Sequence, residues 1–516
     1  MKNLSYIILT AVLLVFSGCT ADFEEINTDK NKVSQASYVP SYNLSRALLE
    51  YTGNSDFSYD TWRVNIIYAS MMTQQLANAS WYAGDKYMQD DGWAAASFDV
   101  AYNSQVKYIV DLLEITRDNP LYSNLYQVGR ISKVLIFHRL TDIYGELPYS
   151  EAGLAFHEGI YAPIYDTQRF IYEDMLKELN EAAQALDASA DMPSNDLVYG
   201  SSGDQIGQWK KLAYSLMLRL AMRLTEVDET LAKTWAERAV AGGVFTSNED
   251  NAMVHHDAGG GRLTVNRNSN ILAGEWNATN NGEVYLSKTF VDFLAGTDDP
   301  RLQYFGRVLS SGDTDPANQI GLPNGFDTNG GATDVSTDPN FPGDIMNYST
   351  IRDDIFLALD APTVLINYAQ VELLLAEAAL KGYSVGGTAE THYAAGVTAA
   401  MEHLAQYNAT ATIPEADIST YLAANPYNPA NGMEMISEQY WVASFLDWYE
   451  VWANWRRTGL PALTPVNYPG NATGGVIPRR MVYPSHESSN NPSNYAEAIK
   501  RQGNNNFLTK VWWDAR

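Results

Sequence analysis

The stretch Thr141-Asp-Ile-Tyr-Gly-Glu-Leu-Pro-Tyr-Ser-Glu-Ala-Gly153 directly follows an apolar, helix-like run that ends at Leu140. Gly145 can adopt the positive-φ backbone conformations that end a helix, and Pro148, three residues later, prevents the helix from resuming. The stretch therefore predicts a helix end followed by a turn. This local pattern by itself predicts structure and not function.

Helix-length segments lie on both sides of this turn, and several are paired through short breaks such as Arg117-Asp-Asn-Pro120. The predicted helices span residues 99–116, 121–140, 167–188, 208–225, 228–241, 363–381, 389–406 and 433–457. Hairpins of roughly 35 to 45 residues are typical of tetratricopeptide-like stacks. The sequence therefore predicts an all-α fold, a superhelix of helical hairpins whose scaffold covers about 40–243 and 363–460.

Residues 244–362 differ in character, since Gly, Asn, Asp, Thr and Pro dominate and only 287–294 is helix-like. A loop segment this long in a folded domain is either disordered or functional. Its aromatic and apolar residues favour an ordered segment that faces a ligand. The tail, 461–516, is predicted to be irregular and pinned to the body by its terminal aromatic residues.

Three patterns in the helices have both a structural and a functional interpretation. His138 lies on an apolar helix face, and we expect a satisfied core histidine. Arg219 and Arg223, one turn apart, could meet an anionic ligand, but carboxylates on neighbouring helices are the expected partners. An aromatic stripe resembles a binding ladder, yet at helical spacing it predicts core packing. Its members are Trp441, Phe445, Trp448, Trp452 and Trp455.

The first nineteen residues have the pattern of an export signal. A positive charge precedes an apolar run from Leu4 to Phe16, and Ser-Gly precedes Cys19, the single cysteine of the chain. Without a disulfide partner, Cys19 is predicted to carry a lipid anchor after removal of residues 1–18. A soluble secreted protein is the alternative. Residues 19–516 are predicted to form one domain.

The composition excludes some classes of function. The chain has 61 acidic and 34 basic side chains and a net charge of −27, which excludes nucleic acid as a partner. The chain contains 33 Tyr and 12 Trp residues. Most of them are expected in the core, and the surplus suits a protein that stacks its aromatic rings on sugar rings.

No catalytic motif is present, and we expect neither an enzyme nor a cofactor. His255 and His256 are adjacent and cannot easily share a metal. The segment from Asp327 to Asp334 could wrap a structural calcium ion but lacks the spacing of a calcium-binding loop, and a solvated turn is the preferred interpretation. A pair of carboxylates suited to glycoside hydrolysis cannot be identified from sequence, so a surface glycoside hydrolase stays an alternative.

Several motifs, taken in order after the export signal, resemble the SusD/RagB family of outer-membrane nutrient-binding lipoproteins. The first is Asn27-Thr-Asp-Lys-Asn31, in which Lys30 stands where the family has Pro. The others are Asp142-Ile-Tyr-Gly-Glu-Leu-Pro-Tyr149, the helix Trp209–Arg223, Asp299-Pro-Arg-Leu302, Gly321-Leu-Pro-Asn-Gly325, the helix Tyr368–Ala379, Trp455-Arg-Arg-Thr-Gly-Leu-Pro461 and Ile477-Pro-Arg-Arg480 to Tyr483-Pro484.

The resemblance implies a helical body with a loop-rich ligand face. It also implies a lipid-anchored protein of the outer membrane, and the acidic residues Asp22, Glu24 and Glu25 resemble the signal that directs such lipoproteins to the cell exterior. Its expected partner is a TonB-dependent, SusC-like outer-membrane transporter that receives the captured oligosaccharide. An oligopeptide ligand in the same role is the alternative.

Ligand residues vary within the family, so the predicted site depends on physical argument. Aromatic faces stack on sugar rings and polar side chains bind hydroxyls, and both suit loops held on a rigid scaffold. The predicted ligand-binding residues are Trp81, Tyr82, Trp93, Trp276, Asn277 and Tyr285.

Overall fold

Helices dominate the computed structural model, which describes residues 38–516. The predicted signal segment and Cys19 lie outside the described residues. The α-helices are Ser41–Tyr51, Ser70–Met72, Asp91–Ala101, Lys107–Thr116, Ser123–Tyr144, Ala155–Glu158, Gln168–Ala185, Gln205–Arg223, Glu229–Gly242, Arg267–Leu272, Lys288–Gly296, Leu302–Phe305, Asp353–Phe356, Tyr368–Leu380, Ala389–Glu402, Glu415–Ala424, Gly432–Ala443, Trp448–Thr458, Glu487–Asn490 and Pro492–Gln502. Wider π-helical turns span Thr61–Ala69 and Tyr102–Val106.

Consecutive long helices pack against each other as hairpins. Lys107–Thr116 contacts Ser123–Tyr144, Gln205–Arg223 contacts Glu229–Gly242, and Tyr368–Leu380 contacts Ala389–Glu402. Each pair buries an apolar stripe, for example Leu212, Leu216 and Leu220 of one helix, which are all fully buried. The expectation of an all-α fold made of helical hairpins is confirmed.

The helix before the turn ends where the sequence predicts. Gly145 follows Ser123–Tyr144 with φ of +85°, and Thr141 Oγ1 donates a hydrogen bond of 2.7 Å to the Gly145 carbonyl. Gln502, from a helix near the C-terminus, accepts from the Glu146 amide at 2.7 Å and donates to the Tyr144 carbonyl at 3.0 Å. The turn is therefore also a docking point for the C-terminal segment.

Replacing Gly145 with alanine is expected to lower the free energy of unfolding by about 2 kcal/mol. With φ of +85° and ψ of −121°, Gly145 has a backbone conformation open almost only to glycine, which costs a residue with a Cβ about 1 kcal/mol or more. A Cβ here would also lie 1.7 Å from Gln502 Oε1 and displace that side chain from its hydrogen bonds. Urea unfolding measures the change. Gly159→Ala is the control for a positive φ alone, because φ is +74° and ψ +18° there and no atom lies within 4 Å of the added Cβ. A loss for Gly145→Ala no larger than that for Gly159→Ala would contradict the expected effects of its backbone conformation and of the Gln502 contact.

Strands are short and form two-stranded antiparallel sheets. The pairs are Leu76–Ala77 with Tyr285–Leu286, Leu147–Pro148 with Tyr165–Asp166, Ala252–Val254 with Thr363–Ile366, and Gly306–Val308 with Ser349–Ile351. Three of the four involve the segment 244–362, which is ordered. Its predicted helix is present as Lys288–Gly296, but the segment also holds strands and short helices that the composition did not predict.

Two predicted helices in the second half of the chain, 363–381 and 433–457, have different boundaries in the structure. Residues 433–457 form two helices, because the chain breaks at Leu446, whose φ is +78°. The Leu446 carbonyl accepts from the side-chain amide of Asn65 at 3.1 Å, so the break is held by a distant segment. Thr363–Ile366 is a strand, and the following helix starts at Tyr368 because Asn367 and Gln370 form a capping box.

The tail is not entirely irregular, since Pro492–Gln502 is a helix. Tyr495, Ala498 and Ile499 form a short apolar face that packs on the core, and only Ala498 is fully buried. This face covers little more than one turn, and the sequence analysis did not use it. Pro492 in the first turn is compatible with a helix start.

The buried Arg219 and Arg223 meet a carboxylate on a neighbouring helix, as expected, and Arg219 Nε lies 3.8 Å from Glu450 Oε2. Arg223 donates to both carboxylate oxygens of Glu450 at 2.6 and 2.7 Å, and Arg219 donates to Gln370 at 2.7 Å. His138 Nε2 lies 3.1 Å from Asp142 Oδ2. The aromatic stripe is core, as predicted: Trp441, Phe445, Trp448, Trp452 and Trp455 are all buried.

Candidate ligand-binding site

Four tryptophans from three separate segments come together on one side of the loop-rich segment. Trp62 and Trp276 have ring centroids 5.0 Å apart, Trp62 and Trp81 5.9 Å, Trp81 and Trp276 6.1 Å, and Trp81 and Trp93 5.7 Å. We refer to Trp62, Trp81, Trp93 and Trp276 as the tryptophan cluster. The structure thus places three of the sequence-predicted site residues, Trp81, Trp93 and Trp276, in one group.

The cluster is partly open to solvent. Trp81 is 40% exposed, Trp93 and Trp276 are half-buried, and Trp62 is buried beneath them. Aromatic rings arranged in this way offer apolar faces on which a flat ring can stack.

A half-buried cation lies among these rings. The Arg63 guanidinium carbon is 4.0 Å from the Trp62 ring centroid, 4.7 Å from Trp93, 5.0 Å from Tyr59 and 5.8 Å from Trp81. Burial lowers the pKa of Arg63, although the neighbouring Tyr59 hydroxyl acts in the opposite direction. These short distances correspond to cation–π contacts.

Side chains below the surface hold the loop that carries Trp81. Asn78 Oδ1 accepts from the amides of Ser80 at 2.7 Å and Tyr82 at 3.1 Å. The buried Lys86 ammonium donates to the carbonyls of Asn78 at 3.0 Å and Tyr82 at 3.4 Å. The loop is therefore fixed by a buried amide and a buried cation.

Gly84 brings this loop against the π-helical segment Thr61–Ala69. A Cβ on Gly84 would lie 1.7 Å from the Ile67 carbonyl oxygen, so the close approach requires glycine. This approach sets the position of Trp81 above Trp62.

Two predicted residues are not accessible to a ligand. Tyr82 is fully buried, accepts a hydrogen bond of 2.8 Å from Trp62 Nε1, and contacts the Trp81 ring at 4.5 Å. Tyr285 is also fully buried and lies in a separate core group with Tyr348. Adjacent loop residues commonly point in opposite directions, and for these two the inward direction was not visible in the sequence.

Asn277 follows Trp276 with φ of +57°, a conformation that asparagine tolerates better than most residues. Its Oδ1 accepts from Asn280 Nδ2 at 2.8 Å, and it is half-buried. Trp276 Nε1 donates to the Glu283 carboxylate. Asn277 and Glu283 thus place polar side chains at this end of the cluster.

The sequence analysis missed four members of this surface. Phe57 contacts Trp62 at 5.5 Å and Trp276 at 6.2 Å, and Tyr59, Trp62 and Arg63 complete the group. The aromatic residues at 57, 59 and 62, close to a cation, were a signal that could have been used.

A groove of about 490 Å³ lies apart from the tryptophan cluster. It is lined by residues that include Gln74, Lys288, Asp292, Asn324 and Tyr468, and no residue of the cluster lines it.

The segment from Asp327 to Asp334, considered above as a calcium loop, has carboxylates that already bind protein groups. Asp327 accepts from Thr333 Oγ1 and the Tyr468 hydroxyl, and Asp334 accepts from the Gly330 amide.

One group in residues 38–516 is close enough to share a metal: His138, Asp142 and Glu450. The carboxylates are already paired with Arg223, with Asp142 Oδ2 3.3 Å from its Nε. Burial alone would raise the pKa of Asp142, but His138 and Arg223 hold it well below its usual range. A divalent cation beside two buried arginines, Arg219 and Arg223, is disfavoured.

Comparisons with known proteins agree on one family. A family model described as starch-binding associating with outer membrane matches residues 34–484. A solved chitin-binding protein is 33% identical with a TM-score of 0.80, covering 93% of this chain and 100% of its own. A SusD homologue from Bacteroides uniformis is 26% identical, with a TM-score of 0.74 and coverages of 93% and 99%. A chitin-binding SusD homologue from Flavobacterium johnsoniae, 22% identical with a TM-score of 0.75 and coverages of 92% and 98%, shares the fold. No curated protein gives a significant match.

These matches also bear on location and activity. The family is associated with the outer membrane, and within residues 38–516 none of the helices combines the length and apolar character needed to span a bilayer. Its members are carbohydrate-binding proteins rather than enzymes, in agreement with the sequence expectation. Because the family model matches most of the chain and a solved relative of the same fold is 33% identical, this chain belongs to the SusD-like family.

Proposed function

We propose that the protein is a cell-surface lipoprotein that captures oligosaccharide on the tryptophan cluster and hands it to a TonB-dependent, SusC-like outer-membrane transporter. The observation that carries the binding role is the group of three partly exposed tryptophans, Trp81, Trp93 and Trp276, on a loop surface that a buried framework holds. Attachment through Cys19 and the handover are part of the proposal and rest on the sequence resemblance.

Rigid aromatic faces suit sugars for a physical reason. The C–H faces of a pyranose ring are weakly polar and stack on indole, while its hydroxyls stay at the edge for polar contacts. Several rings at different angles, as here with interplanar angles of 50° to 79° between cluster members, can follow a curved oligosaccharide.

The test is isothermal titration of the purified protein with a panel of oligosaccharides and mixed oligopeptides. The panel includes starch and chitin fragments, because the family description and a relative's name refer to these. Heat with a glycan supports the proposal, and heat with peptides alone overturns the ligand class. Co-purification of the native lipoprotein with an outer-membrane barrel tests the partner.

Replacing Trp81 with alanine is expected to weaken glycan binding about tenfold, since an aromatic contact of this kind contributes about 1 kcal/mol beyond its buried area. The fold should be kept, because the side chain is 40% exposed. Trp235→Ala is the matched control: Trp235 is half-buried and stacks on Arg238 at 4.6 Å but contacts no cluster ring. Equal affinities for Trp81→Ala and wild type would place the ligand elsewhere.

A further inference from the structure

Arg63 differs from the other arginines of the described chain that are not fully exposed. Arg223, Arg301 and Arg457 meet carboxylates at 2.5 to 2.7 Å. The buried Arg267 donates to the Gly53 carbonyl at 2.9 Å. In residues 38–516, Arg63 has no carboxylate within ion-pair distance and no hydrogen-bonded carbonyl or amide acceptor. Its polar neighbour is the Tyr59 hydroxyl.

The donor capacity of Arg63 is therefore largely unused. Nε and Nη1 are shielded from water and have no hydrogen-bond partner within residues 38–516, while Nη2 keeps some exposure. Nη2 is therefore the donor that an acceptor on a bound ligand can reach, and a charge-assisted hydrogen bond to it stabilises the complex. The guanidinium carbon is 5.8 Å from the exposed Trp81 ring, so a sugar stacked on Trp81 lies close to it.

Two acceptors on sugars fit a guanidinium: the carboxylate of an acidic sugar and the amide carbonyl of an acetamido group. The surroundings favour the neutral one. The Glu283 carboxylate is bonded to Trp276 at the same cluster, and the whole chain carries a net charge of −27, so an anionic glycan meets repulsion. An amide carbonyl accepts from the cation without that cost, and its methyl group packs on indole.

We propose, resting on the glycan-binding function above, that the oligosaccharide at the tryptophan cluster carries acetamido groups and that Arg63 donates a hydrogen bond to an acetamido carbonyl. Arg63 then contributes to specificity, because a hydroxyl in place of the acetamido group is a shorter and weaker acceptor than the amide carbonyl that the guanidinium binds. Stacking on Trp81 does not discriminate between these two sugars.

The experiment compares two ligands that differ at one position. Oligosaccharides of β-1,4-linked N-acetylglucosamine and of β-1,4-linked glucose, each six residues long, have the same linkage and differ at C2. Isothermal titration of the purified protein is expected to show at least about tenfold tighter binding of the acetamido ligand, the size of one charge-assisted hydrogen bond. Arg63→Met should weaken binding of the acetamido ligand about tenfold more than binding of the glucose ligand, because only the acetamido ligand loses the hydrogen bond.

Arg238→Met is the matched control, since Arg238 also stacks on a tryptophan, Trp235, but lies outside the cluster. Its binding of both ligands should equal that of wild type. Circular dichroism and thermal unfolding report whether Arg63→Met is folded, and Arg63→Lys, which keeps the charge but loses the planar donor edge, provides a second variant. We expect Arg63→Lys to bind the acetamido ligand more weakly than wild type does.

Several results would overturn the inference. Equal wild-type affinities for the two hexasaccharides, or an equal loss of both in the Arg63 variants, would show that the guanidinium does not recognise the acetamido group while glycan binding stands. Arg63-dependent binding of a uronate oligosaccharide or a peptide in place of the acetamido ligand would assign Arg63 to a carboxylate or peptide carbonyl. Absence of heat with every glycan would instead count against the proposed function.

Discussion

Replacing Glu450 with alanine is expected to lower the free energy of unfolding by about 3–5 kcal/mol, because within residues 38–516 it leaves the buried Arg219 without a carboxylate at ion-pair distance and Arg223 with Asp142 alone. Glu450 is 4% exposed and accepts two hydrogen bonds from Arg223 and one of 2.8 Å from the Tyr440 hydroxyl. Burial alone would raise the pKa of Glu450, but Arg223 and Arg219 hold it below its usual value, so the group is charged at neutral pH.

The same network reaches the turn at Gly145. Arg223 Nε lies 3.3 Å from Asp142 Oδ2, and Asp142 also accepts from Tyr172 and from Trp513 Nε1 at 2.9 Å. Loss of Glu450 therefore affects contacts between three helices and the C-terminal segment at once. Tyr172, Arg223 and Trp513 come from parts of the chain that are far apart in sequence.

Urea unfolding followed by circular dichroism measures the effect. The matched control is Glu173→Ala, which removes an exposed partner of Arg169 at 2.8 Å, and such surface pairs contribute at most about 1 kcal/mol. Similar small changes in both variants would refute the view that the buried network stabilises the fold.

Replacing Gly84 with alanine is expected to cost about 3 kcal/mol of stability and to weaken glycan binding by about tenfold or more, the loss expected when Trp81 no longer meets the ligand. The Cβ would lie 1.7 Å from the Ile67 carbonyl oxygen and 2.8 Å from its carbon. These are backbone atoms in a helical segment and cannot move aside as a side chain does, so the loop itself must shift. Because that loop carries Trp81, its shift separates Trp81 from Trp62.

Thermal unfolding and glycan titration test this result together. Gly92→Ala is the control, since its Cβ would have one neighbour, Asp90 Oδ1 at 3.4 Å, and alanine favours the helix that starts at Asp91. The control should keep both stability and affinity. A Gly84→Ala protein that unfolds and binds like wild type would contradict the proposed role of the close approach.

Local patterns predicted much of the scaffold. The positive φ at Gly145, the hairpins around it and the burial of the Trp441 to Trp455 stripe follow from periodicity and from glycine and proline chemistry, which act within a few residues. The break at Leu446 did not follow, because its carbonyl is held by Asn65 and Asn268, distant residues that no short window contains.

The residues of the candidate site were likewise predicted only in part. Residue type alone indicated Trp81, Trp93 and Trp276, since aromatic loop residues suit sugar rings. Residue type alone could not distinguish Trp81, which is 40% exposed, from its neighbour Tyr82, which is fully buried. That difference depends on which way each side chain points once the loop is packed.

Composition and short-range spacing were sufficient to predict the helical scaffold and the abundance of aromatic side chains, and the order of the motifs was sufficient to indicate the family. The proximity of Trp62 and Trp276, whose rings lie 5.0 Å apart although the residues are more than 200 positions apart, became visible in the folded chain alone. The same is true of Arg63, which lies among the rings with no carboxylate at ion-pair distance within residues 38–516. Packing brings distant segments together, and the exposure and pairing of a side chain are properties of that packing.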